Sequence, residues 1–165
     1  HDVLILADDS YGRLVYNGNN FTPISTLSDA IKAQTIIING VSKTYAMTGW
    51  RIGFAVGNPE IIGAMSKIAS QTTSNPSAVA QYAAIEALTG DQSTVETMRL
   101  AFEERLNTIL PLINEVPGFE AIKPQGTFYL FPKVAKAMEM KGFSDITALC
   151  DDILEETGVA VVTGV

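Results

Sequence analysis

The chain has 165 residues, 47% of them hydrophobic, enough apolar material for a buried core and too much for a disordered segment. Eleven Lys plus Arg against eighteen Asp plus Glu leave a net charge of −7, a balance that repels nucleic-acid backbones and anionic membrane surfaces. With one cysteine, Cys150, and one histidine, His1, the sequence offers neither an internal disulfide nor a zinc-type cluster, and no apolar run reaches the roughly 18 residues of a membrane span.

The first element is the run Val3 to Ala7, continuously apolar as in a strand covered on both faces, and the acidic pair Asp8-Asp9 ends it. After the Gly/Asn-rich stretch 16–20, residues Thr26 to Ala33 suit a short helix and Thr35 to Asn39 a second, β-branched strand, so strand, crossover and strand read as a βαβ-type unit. Ile52 to Gly57 reads as a third strand, and Asn58-Pro59 opens a helix through about Ser70. Asn75-Pro76 opens an Ala-rich helix over Ser77 to Leu88. From Ser93 to Glu115 apolar residues recur at helical spacing, with Pro111 predicting a kink or an end. Beyond it the sequence suggests short strands at Phe119 to Ile122 and Thr127 to Phe131, a helix over Ser144 to Glu156 and a strand at Val159 to Val162. A domain boundary is placed near residue 90, giving portions 1–90 and 91–165, the long helix acting as connector. Cys150 and Trp50 read as core residues, Tyr45 and Asn75 as structural or interface residues. The chain opens without Met, straight into a buried-type strand, and stops at Thr163-Gly164-Val165, so further polypeptide is expected on both sides. With no leader pattern and no membrane span, a cytoplasmic enzyme or binding protein is expected.

In parallel α/β sheets reactive groups gather beyond the carboxyl ends of strands. Asp8 leaves the first strand and Lys43 follows the second, within Gly40-Val41-Ser42-Lys43-Thr44-Tyr45. If those strands are neighbours, a carboxylate and an amine face one pocket. Arg51 closes the following segment, and the hydroxyls of Ser42, Tyr11 and Tyr45 are near in sequence. These groups match a pyridine nitrogen, an aldehyde, a phosphate and a phenolate oxygen.

The segment Asn39-Gly40-Val41-Ser42-Lys43-Thr44-Tyr45-Ala46-Met47-Thr48-Gly49-Trp50-Arg51-Ile52-Gly53 resembles the cofactor-lysine signature of class I and II aminotransferases, the aspartate aminotransferase family of fold-type I pyridoxal-phosphate enzymes. Asp8-Asp9-Ser10-Tyr11 is similar to the family's Asp-x-x-Tyr. Ser74-Asn75-Pro76 resembles a segment near its dimer interface, and Pro124 to Tyr129 its Pro-x-Gly-aromatic strand. The likeness covers essentially the whole chain. It implies an α/β fold: part of the mixed, mainly parallel sheet of the large domain in 1–90, then a connecting helix and part of an α+β small domain in 91–165.

By the same resemblance, pyridoxal 5'-phosphate is the cofactor and Lys43 its Schiff-base lysine, which later moves the proton at the substrate's alpha carbon. Asp8 would pair with the ring nitrogen, Tyr11 with the phenolate oxygen, and Ser42 and Arg51 with the phosphate. The reaction implied is ping-pong transamination between an amino acid, aspartate or an aromatic or neutral one, and a 2-oxo acid, by a homodimer. The family's phosphate-cupping turn, ring-stacking aromatic, phenolate-contacting asparagine and carboxylate-gripping arginine have no counterpart here, so these 165 residues alone are expected to bind cofactor poorly. Where the aspartate-specific branch has an arginine four residues before Ser-Asn-Pro, this chain has Ser70. A lyase or cyclase on the same fold, and a non-catalytic domain, are the alternatives. Each site residue also has a structural reading: a turn or cap for Asp8 and Ser42, packing for Tyr11, a solvated charge for Lys43 and a surface ion pair for Arg51.

Overall fold

The computed structural model describes residues 3–164; His1, which is the lone histidine, Asp2 and Val165 lie outside the described residues. The molecule divides into two compact units, 1–101 with 125–127, and 102–124 with 128–165.

The first unit holds a three-stranded sheet in the order β1 (Ile5–Asp8), β2 (Thr35–Gly40), β3 (Gly53–Val56). Strand β2 runs parallel to β1, in the register Ile5 to Thr35 through Asp8 to Ile38. It runs antiparallel to β3, with Gly40 opposite Gly53, so the sheet is mixed, one ladder of each kind. The first strand starts two residues later than its apolar run suggests, because Ile5 is the first residue with a partner on β2. Its expected cover on both faces is not seen: Leu6 is 69% exposed, while Ile5 and Ala7 are half-buried.

Between β1 and β2 lie a 3-10 turn at Ile24–Thr26 and helix α1 (Asp29–Gln34), whose N-cap Ser28 accepts from the Ile31 N–H at 3.2 Å. Helix α2 (Pro59–Thr72) starts as its sequence predicts: Pro59 fills the first turn and the Asn58 side chain accepts from the Glu60 N–H at 2.8 Å. Helix α3 (Ala78–Thr89) follows, burying Ala80 and Ala84. Helix α4 (Ser93–Glu115) passes through Pro111 without ending; the proline costs the helix one backbone donor but the flanking turns carry on.

The loop after β1 is held by a short antiparallel pairing. Val15 bridges Gly126, the Tyr16 N–H donates to the Gln125 carbonyl and the Thr127 N–H donates to the Leu14 carbonyl, both at 2.8 Å. Tyr16 is fully buried, and its hydroxyl donates to the Thr127 carbonyl at 2.5 Å. Gly126 is required there, because a Cβ would lie 2.5 Å from the Leu14 carbonyl oxygen. The segment expected to form a strand from Thr127 to Phe131 therefore contributes only its first residue, which borders this bridge.

The second unit contains α5 (Ala135–Lys141), for which the sequence carries no clear signal, and α6 (Ile146–Thr157), capped by Asp145 accepting from the Ala148 N–H at 3.1 Å. Asn114 and Ala121 exchange two hydrogen bonds, and the Phe102 and Phe128 rings lie 5.4 Å apart. The strands expected at Phe119 to Ile122 and Val159 to Val162 are absent among the described residues. Glu120 pairs with Lys133 as an isolated bridge, and Val162 is 95% exposed. Apolar, β-branched sequence forms a strand only where a second backbone offers a ladder, and no described segment does. Cys150 is half-buried while its neighbour Leu149 takes the core position. No described helix is long and apolar enough to cross a membrane, and no described group of His, Cys, Asp or Glu could hold a metal ion.

Substituting Tyr16→Phe removes the donor to the Thr127 carbonyl and is expected to cost about 1–3 kcal/mol of stability, read as a lowered urea midpoint with unchanged slope.

Candidate active site

Strand direction gathers the candidate residues at one edge of the sheet. Parallel β1 and β2 both end there, delivering Asp8 and the segment after Gly40; antiparallel β3 begins there, so Arg51 and Ile52 return to the same edge. The connection 41–52 is folded on itself. Val41 is fully buried and its N–H donates to the Ile52 carbonyl at 3.3 Å, the Tyr45 N–H donates to the Val41 carbonyl, and the Met47 N–H to the Ser42 carbonyl. The Tyr45 hydroxyl donates to Gln92 Oε1 at 3.1 Å, and Gln92 in turn donates to the carbonyls of Ala87 and Gly90, fastening the loop to the end of α3. Ala46 and Arg51 both take left-handed backbone angles (φ 52° and 55°), each a conformation that costs an L-residue on the order of 1–3 kcal/mol and is held by its surroundings.

This loop and the strand ends enclose a cleft of about 410 Å³ lined by Ser42, Lys43, Thr48 and Arg51 with Ser10, Asn39 and the backbone of Gly40, Ile52 and Gly53. Among the described residues no carboxylate lines it. A Cβ on Gly40 would lie 2.8 Å from the Ile52 carbonyl oxygen, so the close approach of the end of β2 to the residue leading into β3 needs glycine. The Arg51 guanidinium donates to the Thr48 carbonyl at 3.0 Å, and the Lys43 ammonium stands over the Tyr11 ring, 5.8 Å from its centroid. Ser42, Lys43 and Arg51 thus share the cleft, and Tyr11 adjoins it through Lys43. Asp8 is at the same sheet edge but does not line the cleft; its link to it runs through Ser10. Trp50, expected in the core, is instead 45% exposed and ends the 3-10 turn Thr48–Trp50.

The two acids after β1 differ electrostatically. Asp8 is held below the usual carboxylate range, foremost by the hydroxyl hydrogen bond from Ser10 and then by the Ser10 N–H. Asp9 is pushed up, mainly by burial and then by the charge of Asp8. Ser10, Asn39 and Thr48 lie within the segments that carry the resemblance, but it assigns them no role. Their position one or two residues from strand ends, or three before the arginine, is the available signal.

A hydroxyl, an ammonium and a guanidinium lining one cleft together with two glycines suit a phosphorylated aldehyde: cations and hydroxyls for the phosphate, an amine for the carbonyl carbon. Comparison with known proteins gives the family. A family model described as aminotransferase class I and II matches residues 1–165, and the chain belongs to that family. It is 71% identical over 164 residues to the asparagine–oxo-acid transaminase of Streptococcus mutans and 51% identical to the aspartate aminotransferase of Bacillus subtilis, covering 99% of this chain in each case. It superposes with a TM-score of 0.89 on the aspartate aminotransferase of Rhizobium meliloti, at 38% identity over 97% of this chain and 41% of that one. The chain spans 42% of the length of the first two relatives.

On acidification, Asp9 is expected to protonate before Asp8, and carboxyl ¹³C NMR titration would read the order. Because the folded state favours ionised Asp8, the stability this residue contributes is present above its unfolded pKa and lost as pH falls through its lower, folded one.

Proposed function

We propose that this chain carries the cofactor lysine of a pyridoxal-phosphate-dependent aminotransferase that exchanges the amino group between an amino acid and a 2-oxo acid. The observation that supports it most is the convergence of Lys43, Ser42 and Arg51 on one cleft at the sheet edge where Asp8 leaves β1. In this reading residues 1–90 belong to the cofactor-binding large domain and 91–165 to a connecting helix and part of the small domain, and the whole enzyme is a cytoplasmic homodimer of its relatives' length.

When bound, pyridoxal phosphate supplies an electrophilic aldehyde and a ring that accepts electrons from the substrate's alpha carbon. Lys43 would hold the group through Nζ and, as a free amine, would take up and return the proton at the substrate's alpha carbon. Ser42 and Arg51 would hold the phosphate. Asp8, whose ionised form is favoured, would face the ring nitrogen, and the Tyr11 hydroxyl the phenolate oxygen.

For the donor, the 71% identical relative is named for asparagine and the 51% identical ones for aspartate. The neutral Ser70, whose hydroxyl donates to the Lys67 carbonyl, stands where the aspartate-specific branch resembled by this chain has an arginine. We therefore place asparagine first among four-carbon donors.

Borohydride reduction of the protein with cofactor, followed by peptide mass analysis, is expected to label Lys43; a label on another lysine, or none, would overturn the mechanism. Lys43→Ala is expected to lower transamination by at least about 10²–10⁴-fold, measured as oxo-acid release in the half-reaction. With the unsubstituted protein, kcat/KM for asparagine should exceed that for aspartate and for phenylalanine. The reverse order would reject the donor while leaving the reaction class intact.

A further inference from the structure

Where β1 ends, the Asp8 carboxylate is held by a neighbour to which no motif assigns a role. Ser10 donates its backbone N–H to Asp8 Oδ1 at 3.1 Å and its hydroxyl to the same oxygen at 2.5 Å. The same residue lines the cleft that contains Ser42, Lys43 and Arg51. It is the link between a carboxylate that does not itself line the cleft and the groups that do. An aspartate's terminal torsion is broad and roughly two-fold, so an Asp at a strand end has no rotation of its own to keep. Two donors converging on one oxygen select one rotation, and neither bond uses Oδ2.

We propose that Ser10 is a positioning residue for the aminotransferase reaction: it anchors Asp8 by Oδ1 so that Oδ2 is presented to the protonated ring nitrogen of the cofactor. The proposal rests on the functional reading above and extends it to a residue that touches no reacting atom. Its physical basis is preorganisation. A carboxylate and a ring N–H⁺ form a strong, short hydrogen bond only when the accepting oxygen is already directed at the donor. The lowered pKa of Asp8 accords with this, because both donors favour the ionised carboxylate that such a pair requires. A purely structural role fits less well. The Ser10 bonds span two residues within one turn, and Ser10 is not among the buried residues of its unit.

The test compares Ser10→Ala and Ser10→Thr with the unsubstituted full-length enzyme, reading pyridoxal-phosphate affinity by absorbance titration, the pH profile of the bound cofactor's absorption band, and the melting temperature of the cofactor-free protein. Ser10→Ala is expected to weaken affinity about three- to tenfold and to displace the pH profile while leaving the cofactor-free melting temperature in place. Ser10→Thr, which keeps the hydroxyl, should restore both to within about twofold of the unsubstituted value. Unchanged affinity and pH profile in Ser10→Ala would overturn the proposal, as would equal losses in both variants or a loss matched by destabilisation of the cofactor-free protein. Borohydride labelling in parallel separates the two levels of inference. If Lys43 is labelled but Ser10→Ala behaves as unsubstituted, only the role of Ser10 falls; if Lys43 is not labelled at all, the functional reading falls and takes the proposal with it.

Discussion

The hydrogen-bonded ladders that set β2 parallel to β1 and antiparallel to β3 decide which residues can meet. Parallel pairing sends the acid after β1 and the lysine loop after β2 to one edge, and the reversal of β3 returns the arginine to it. Had β3 been parallel as well, the chain would have crossed the sheet before entering it, and Arg51 would have started from the opposite edge. The strain of the tight reversal is visible in the backbone: a left-handed Arg51, a left-handed Ala46, and a glycine pair where the two strands come closest.

Charge works locally here, against the global balance. A molecule with a net charge of −7 is a poor general host for an anion, yet the cleft is lined by Lys43 and Arg51 and, among the described residues, by no carboxylate. The two acids nearest in sequence are kept apart in character as well as place. Asp8 directs its charge to Ser10, and Asp9, partly buried next to it, is the more readily neutralised of the two. Adjacent carboxylates repel, and here the cost falls on Asp9, whose pKa is raised, while the Ser10 donors favour the ionised form of Asp8.

The first half of the chain is largely legible from sequence because its signals are local. A continuous apolar run marks β1 and a β-branched one β2, Asn-Pro marks the start of α2, and the glycine-flanked lysine with an arginine eight residues on marks the cleft. What escapes depends on partners that lie elsewhere. The runs at Phe119 to Ile122 and Val159 to Val162 have strand composition but no ladder among the described residues. Helix α5 is seven residues long, too short for a periodic signal to emerge. Trp50 has a core residue's composition and an exposed turn's position. Ser10 is the instructive miss: a serine two residues after an aspartate is common in turns, and only the folded turn shows that its hydroxyl is committed to that aspartate while its flank borders the cleft.

The tripeptide Gln125–Thr127 is part of the first unit although the chain on either side of it belongs to the second. The unit bearing the lysine is therefore discontinuous in sequence, and no single cut can excise it whole. A protein engineer wishing to isolate it would have to graft the partner of Leu14–Tyr16 back through a short linker, or supply it as a separate peptide, because ending the chain at Ala101 would unlace the turn that carries Tyr11.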